Sequence, residues 1–375
     1  MKTQQSLIEN ASATLAALEP VPAPVVTGFD GFVDEMISVV AERKSLEHFD
    51  PVPTIATFGA LVSAAAGQSS LREIVVHAVH PGGCAVNLGD GLAAMGVPVD
   101  CFATLGEPAH SAFAETTSRF RSTHSWGREP GRTLAFEFTD GKLMFSSVQQ
   151  LAEFTADAVR ERLADGAYLA ACQEAAVIAL TDWSLYPHMN GVWRLLQQAV
   201  YPRLEHRPHF FVDLVDPTTR SAADILAMVE TLPGFEPRGA VTLGLNGNEA
   251  NVLARLLSLP EAKSEMEDCR RLAGDLQRRV RISTVVIHQT RFAVAAGSAG
   301  SAMIPGPHCA RPLKSTGAGD RFNAGYCLGL LAQGTLEDCL ALGCASSGFF
   351  VRQARSASRP ELAAFLQNWK ADSGL

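Results

Sequence analysis

Short apolar runs alternate with longer amphipathic segments over most of the chain. The apolar runs read as strands and lie at 25–29, 72–80, 99–106, 175–183, 209–216, 240–246 and 284–289. The last four have the length and character typical of buried parallel strands. Helical patterns separate them, at 87–95, 188–200, 219–231, 247–258, 261–280, 317–332 and 336–352. Strand-then-helix alternation of this kind predicts an α/β fold, in which helices cover both faces of a mainly parallel sheet.

The start of the chain departs from this alternation. Residues 6–19 have the pattern of a short amphipathic helix, and Pro20 ends it. The pattern therefore predicts a helical extension over 1–20, followed by a main α/β domain over 21–370.

A second departure predicts a small sheet outside the main one. Apolar and polar positions alternate over 132–147 on either side of Asp140-Gly141, which is the pattern of a β-hairpin. The material between 33 and 80 looks antiparallel, with strands expected near 34–40 and 72–80. We expect these strands and the hairpin to form a lid over the functional site.

Composition and charge narrow the choice of partners. The chain has 375 residues, of which 47% are hydrophobic and 19% charged, so it is expected to be globular. Its net charge of −8 argues against nucleic acid or an anionic membrane as a partner. No apolar run is long enough to span a bilayer, and the polar start lacks the pattern of a signal peptide. Eight cysteines without a Cys-x-x-Cys pair then favour a cytoplasmic protein with reduced thiols.

Candidate chemistry is densest where small residues lead into the predicted helix at 317–332. Gly317, Ala318, Gly319 and Asp320 stand at its start. Backbone N–H groups at a helix start bind anions, and glycine lets a phosphate approach the backbone closely. The simpler interpretation is an ordinary helix start, in which Asp320 interacts with the helix dipole.

Two further segments lead from a strand into a helix. Gly82 and Gly83 precede Asn87, whose amide offers both a donor and an acceptor, although a tight turn is the simpler interpretation. Asn246 and Glu249 follow the strand predicted over 240–246. They read either as a helix cap or as polar groups that hold Mg²⁺ through water at the carboxyl edge of the sheet.

Together these segments resemble the PfkB/ribokinase family of ATP-dependent sugar and nucleoside kinases. Residues 82–87 match its G-G-x-A-x-N, residues 246–249 match N-x-x-E, and residues 316–320 match most of D-T-x-G-A-G-D. The resemblance covers about residues 24–366. It implies a ribokinase-like three-layer α/β/α sandwich with a mainly parallel central sheet and a small β-sheet lid. It also implies transfer of the γ-phosphoryl group of MgATP to a hydroxyl of a sugar or sugar derivative.

The resemblance implies a role for each matched residue. Asp320 would be the general base that takes the hydroxyl proton, and the backbone N–H groups of Gly317, Ala318 and Gly319 would form the anion hole. The acceptor would be bound by Gly82, Gly83, Asn87 and an early Asp, which is Asp34 with Asp30 as the competitor. Thr316 and Lys314 would make contacts on the nucleotide side. Asn246 and Glu249 would order Mg²⁺. The expected partner is a small sugar-like substrate. Lid-to-lid dimers are common in the family, so the resemblance also allows a second copy of the chain as a partner, and the sequence leaves the oligomeric state open.

Three departures show where this chain differs from the family pattern. Lys314 and Ser315 stand where the last motif has Asp and Thr, and Arg321 stands where the family has a small residue. The predicted strand over 284–289 continues into Thr290-Arg291 instead of a G-x-x-G turn. In the family the motif Asp helps to bind a monovalent cation, so the Lys314 ammonium is expected either to replace that ion or to point into solvent.

Three functions remain open on the sequence. The leading hypothesis is a sugar kinase, and the first alternative is a nucleoside kinase on the same fold. The second alternative is a catalytically weak ligand-binding or regulatory protein. The intact Asp320 favours an active kinase, whereas Lys314 and the missing glycine turn favour the weak protein.

Overall fold

Fourteen strands and thirteen helices follow one another along residues 3–371, the part of the chain that this computed structural model describes. The strands are β1 (Val25–Phe29), β2 (Phe32–Arg43), β3 (Phe49–Pro51), β4 (Ile74–Gly82), β5 (Val99–Ala103), β6 (Ser122–Ser125), β7 (Gly131–Phe138), β8 (Gly141–Ser147), β9 (Val177–Leu180), β10 (His209–Asp213), β11 (Val241–Asn246), β12 (Thr284–His288), β13 (Phe292–Gly297) and β14 (Gly300–Pro305). The helices are α1 (Gln4–Ala17), α2 (Ile55–Ala64), α3 (Cys84–Ala94), α4 (Ala114–Thr117), α5 (Ala156–Arg162), α6 (Ala167–Glu174), α7 (Met189–Ala199), α8 (Ala222–Thr231), α9 (Gly247–Leu256), α10 (Met266–Val280), α11 (Ala318–Leu331), α12 (Leu336–Gln353) and α13 (Arg359–Ala371).

Nine strands form the central sheet, in the order β14-β13-β12-β11-β10-β9-β1-β5-β6. From β6 to β12 all neighbours run parallel, which confirms the predicted mainly parallel sheet. β13 and β14 add an antiparallel edge that the sequence analysis did not predict. Their alanines and glycines have weak strand propensity, so the apolar pattern there is faint.

Helices cover both faces of this sheet. Neighbouring side chains of one strand point to opposite faces, so Val285 and Ile287 of β12 pack with α5–α10, whereas Val286 packs with α1, α3 and α11–α13. The two cores confirm the three-layer α/β/α sandwich. No helix over residues 3–371 combines the length and the apolar character needed to cross a bilayer.

The smaller sheet is built on β2, which is separated from β1 by two residues. β4 pairs with β2 antiparallel and β7 pairs with it parallel, while β8 continues the sheet beyond β7 and β3 pairs with the far end of β2. The predicted lid strands therefore exist, in a mixed sheet. The antiparallel interpretation is wrong over 55–64, where Thr54 caps α2 by accepting a hydrogen bond from the Thr57 N–H. That helix buries none of its residues, so it shows no one-sided apolar pattern.

The predicted helix at the start of the chain is α1, and it is part of the domain's packing. Leu7, Ile8, Ala11 and Leu15 are buried in the core that α11, α12 and α13 also share. Residues 1 and 2 of the predicted extension lie outside the described residues. The extension is thus held by the core on the side of the sheet that α3 and α11–α13 cover.

Candidate active site

The start of α11 is a helix terminus with two N–H groups that the helix does not use. Gly317 caps it in the left-handed conformation, with φ of +86°, which glycine adopts without strain. The Ala318 N–H donates to the Ser315 carbonyl at 3.0 Å, so one of the three predicted anion-hole donors already has a partner. The first intrahelical bond of α11 runs from the Arg321 N–H to the Gly317 carbonyl, so within residues 3–371 the N–H groups of Gly319 and Asp320 have no intrahelical acceptor and are available to an anion.

Asp320 stands in the first turn of α11 with a carboxylate that titrates near neutrality. It is 9% exposed, and the Asn87 side-chain amide donates to its Oδ2 at 3.0 Å. Burial raises the pKa of Asp320 to about 7, while the Arg321 charge opposes the shift and Asp213 adds to it. A carboxylate with this pKa can accept a proton at physiological pH.

A cavity of about 610 Å³ separates the lid from the loop that precedes α11. Asp34 and Lys142 line it from the lid, and Asn87 and Lys314 line it from the body. Burial raises the pKa of Asp34, against the opposing effects of Thr133 and the two lysines. A Cβ atom on Gly82 would lie 2.5 Å from Asp34 Oδ2, so only glycine lets this carboxylate lie against β4.

Asp30, the competitor of Asp34, is withdrawn from that cavity. It is 1% exposed and accepts hydrogen bonds from the backbone N–H groups of Cys84 and Ala85 and from the Thr181 hydroxyl. The N-cap of α3 is Gly83, with φ of +97°. Asp30 therefore satisfies the start of α3 from within the chain, and the structure brings only Asp34 to the cavity.

Asn246 and Glu249 form a helix cap, which is one of the two alternatives that the sequence left open. The Asn246 side chain accepts from the Glu249 N–H at 3.0 Å, and both Glu249 oxygens accept from Asn246, at 2.7 and 2.8 Å. Burial raises the pKa of Glu249 to about 8, and the charges of Asp213, Asp216 and Asp320 add to the shift. Several carboxylates thus repel one another at this end of α9.

A second cavity, of about 490 Å³, lies on the other side of the α11 start. Six of the residues that line it are Asn246, His288, Ser315, Gly319, Phe322 and Val351. Thr316 and Lys314, predicted on the nucleotide side, line the cavity under the lid instead. The loop thus separates the two cavities.

His288 is a residue of the second cavity that sequence reasoning missed. Its ring stacks on Phe322 with centres 4.8 Å apart, and burial lowers its pKa to about 4, so it is neutral. The β12–β13 turn closes without glycine, because the Gln289 N–H donates to the Phe292 carbonyl at 2.8 Å. In the sequence, the departure from G-x-x-G at these positions was the signal that could have drawn attention to His288.

Lys314 does not point into solvent. Its side chain is partly buried, and its Nζ lies 5.7 Å from the centre of the Phe350 ring. Burial lowers the pKa of Lys314, and the Arg321 charge adds to this effect. Within residues 3–371 its ammonium donates no hydrogen bond to a backbone carbonyl, so replacement of a monovalent cation stays a prediction.

A sequence model of the prokaryotic ketohexokinase family matches residues 3–369. The chain belongs to that family. It is 28% identical to a ketohexokinase of Haloferax volcanii over 348 residues, which make up 92% of this chain and 91% of that protein. Membership of the prokaryotic ketohexokinase family confirms the predicted carbohydrate kinase and favours a sugar over a nucleoside as the acceptor.

Solved structures share the ribokinase-like fold of this ketohexokinase-family chain at lower identity. A carbohydrate kinase from Agrobacterium tumefaciens is 17% identical with a TM-score of 0.62, and the match covers 92% of this chain and 97% of that one. A ribokinase of Arabidopsis thaliana, solved with ribose and ATP, is 15% identical with a TM-score of 0.62 over 92% and 99% of the two chains. An adenosine kinase from Sinorhizobium meliloti is 15% identical with a TM-score of 0.61, and the match covers 92% of this chain and 99% of that one. These likenesses confirm the fold.

Proposed function

We propose that this chain phosphorylates a ketohexose with MgATP, and that Asp320 is the general base. One observation carries the proposal. The Asp320 carboxylate, with a pKa raised to about 7, follows Gly319, which lines the second cavity, and accepts a hydrogen bond from Asn87, which lines the cavity under the lid. A sugar hydroxyl under the lid and a phosphate at the helix start would both reach it, which is the arrangement that in-line phosphoryl transfer needs.

Each group around Asp320 then has a defined task. Asp34 and Asn87 bind hydroxyls of the sugar under the lid, and Asp320 takes the proton of the reacting hydroxyl. The N–H groups of Gly319 and Asp320 stabilise the negative charge on the transferring phosphoryl group. The lid excludes water, so that the sugar rather than water accepts the phosphoryl group.

Magnesium fits this site through water rather than through direct ligands. No group of three acidic, histidine or cysteine side chains within the described residues is arranged to hold a metal ion. The oxygens of Glu249 are engaged in its helix cap, and the charge of Asp213 raises the cost of ionising Glu249. Glu249, with Asn246 and Asp213 beside it, would order the waters of Mg²⁺, which when bound neutralises charge on the phosphates of ATP.

The test is sugar-dependent formation of ADP. We expect turnover with a ketohexose such as fructose and little with adenosine or with no acceptor. Asp320→Asn should lower kcat by at least about 100-fold, because the general base is lost. Asp338→Asn is the matched control, since Asp338 is also a buried aspartate at the third position of a helix, in the capping box of α12.

Three results would contradict the proposal. Turnover of adenosine in preference to every sugar would assign a nucleoside kinase. An Asp320→Asn variant that keeps more than about a tenth of wild-type kcat would remove Asp320 as the base. If neither the sugars nor adenosine support ADP formation while sugars still bind, the chain is the catalytically weak binding protein instead.

A further inference from the structure

Arg321, which replaces a small residue of the family pattern, is fixed behind the start of α11. It is 7% exposed, its Nη2 donates to Asp90 Oδ2 at 2.7 Å, and its Nε donates to Ser356 Oγ at 3.1 Å. Its guanidinium lies over Phe350, 4.6 Å from the ring centre. Two of its three nitrogens and the plane of the group are therefore held by the protein.

The third nitrogen of Arg321 faces the loop at the start of α11. A Cβ atom built on Gly317 would lie 3.0 Å from Arg321 Nη1 and 3.7 Å from Asp320 Oδ2, so both groups border the same small space. Within residues 3–371, Nη1 has no hydrogen-bond acceptor. Nη1 keeps contact with solvent beside Gly317, where an oxygen of a ligand can replace water as its acceptor.

We propose that Arg321 Nη1 donates a hydrogen bond to an oxygen of the transferring phosphoryl group, which makes Arg321 a catalytic residue. The inference rests on the proposed function, because it needs a phosphoryl group at the start of α11. Arginine suits the task, since it stays protonated and its planar group matches phosphate oxygens. Its fixed position means that little reorganisation is needed as charge develops.

Arg321 contributes only charge and hydrogen bonding to the step. The oxygen of the sugar hydroxyl forms a bond to the γ-phosphorus, and the bond from that phosphorus to the bridging oxygen breaks. Its electron pair stays on the bridging oxygen, so ADP leaves. The hydroxyl proton passes to Asp320, and Arg321 keeps all of its protons.

Arg119 provides a matched control on the same carboxylate. Its Nη2 donates to the other oxygen of Asp90, Oδ1, at 2.5 Å. Its side chain is 46% exposed, in contrast to that of Arg321. Arg119→Ala therefore weakens the Asp90 network without removing the group that faces Gly317.

The experiment measures kcat and KM for ketohexose-dependent ADP formation in Arg321→Ala, Arg321→Lys and Arg119→Ala. We expect Arg321→Ala to lose about 10²–10³-fold in kcat, as for other donors to a developing charge, with KM for the sugar nearly unchanged. Arg119→Ala should stay within about twofold of wild type, because exposed ion pairs contribute little. Added guanidinium chloride should restore part of the kcat of Arg321→Ala, whereas equal sodium chloride should not.

A binding measurement keeps the proposal testable if Arg321→Ala fails to fold. Arg321→Lys retains a positive charge beside Asp90, and calorimetry can follow ADP, sugar and aluminium fluoride, which together imitate the transferring phosphoryl group. The variant should bind ADP and sugar as wild type does but lose the tightening by fluoride. Unchanged tightening, or an Arg321→Ala variant with wild-type kcat, would overturn the role of Arg321. A wild-type protein without sugar-dependent turnover would instead overturn the proposed function.

Discussion

The helices α3 and α11 begin in the same way, but the N–H groups at their starts have different partners. Each starts after a glycine with positive φ, Gly83 at +97° and Gly317 at +86°, and each presents backbone N–H groups. At α3 the chain supplies the anion itself, because Asp30 accepts from the first two N–H groups. At α11 no side chain takes that place within the described residues. A glycine-rich helix start therefore becomes a candidate phosphate site only where the chain leaves its donors without a carboxylate.

A methyl group added at each glycine should affect the two helix starts differently. Gly317→Ala should lower kcat by about 100-fold, because a Cβ at this φ strains the loop and meets Arg321 Nη1, and small displacements of reacting groups are costly. Gly83→Ala should instead cost about 1–3 kcal/mol of unfolding free energy, since its Cβ would lie 2.7 Å from the Asp30 carbonyl.

Steady-state kinetics and urea unfolding of both variants measure the two effects. Gly317→Ala should lose far more rate than Gly83→Ala, and Gly83→Ala, whose Cβ also meets backbone, should lose more stability while its kcat stays close to wild type. Equal losses of rate in two folded variants would show that the start of α3 also takes part in the reaction.

The two early aspartates give the next largest contrast. Asp34→Asn should raise KM for the sugar by about tenfold or more, because hydrogen bonds to a charged group are worth about 1.5–3 kcal/mol. Asp30→Asn should leave KM unchanged in the folded fraction and lower the melting temperature, because it removes an acceptor shared by two backbone N–H groups and Thr181. If Asp34→Asn lowered Tm and Asp30→Asn raised KM for the sugar, Asp30 rather than Asp34 would be the sugar-binding aspartate.

The pH dependence should be smaller and of fixed sign. Asp320 must be deprotonated to act as a base, so kcat/KM for the sugar should rise with pH up to about 7 and then level off. Burial is the main cause of the raised pKa of Asp320, and the charges of Asp213 and Asp30 add to it. The charge of Arg321 and a hydrogen bond from Cys84 lower this pKa. A profile measured from pH 5 to 9 that falls towards pH 7 would contradict the base.

The smallest expected effect is that of potassium. If the Lys314 ammonium supplies the positive charge beside the α11 loop, exchange of K⁺ for tetramethylammonium at constant ionic strength should leave kcat unchanged. Lys314→Ala should then be slower than wild type in either salt. Strong activation of the wild-type protein by K⁺ would contradict the replacement.

Periodicity was enough to predict most of the sandwich, because its strands and helices are buried on one side or on both. It failed where burial does not produce a period, at α2, and where small residues carry the strand, at β13. The motifs predicted the starts of α3 and α11 correctly, but a motif does not specify the orientation of a carboxylate side chain. The choice between Asp34 and Asp30 needed the positions of Gly82 and of the α3 donors. The contact between Arg321 and Asp90 joins residues 231 positions apart, a distance over which one sequence carries no signal.

The packing of α1 has a consequence for how this chain is made. α1 precedes nearly the whole domain, yet it is covered by α12 and α13, and Arg359 donates to the Glu19 carbonyl across 340 residues at 2.9 Å. During synthesis the apolar side of α1 must therefore wait until the last helices leave the ribosome. Closing so long a loop is entropically slow, so this contact should form late in folding. Shortening the chain at either end would expose the same apolar surface, which is where aggregation of a truncated protein should begin.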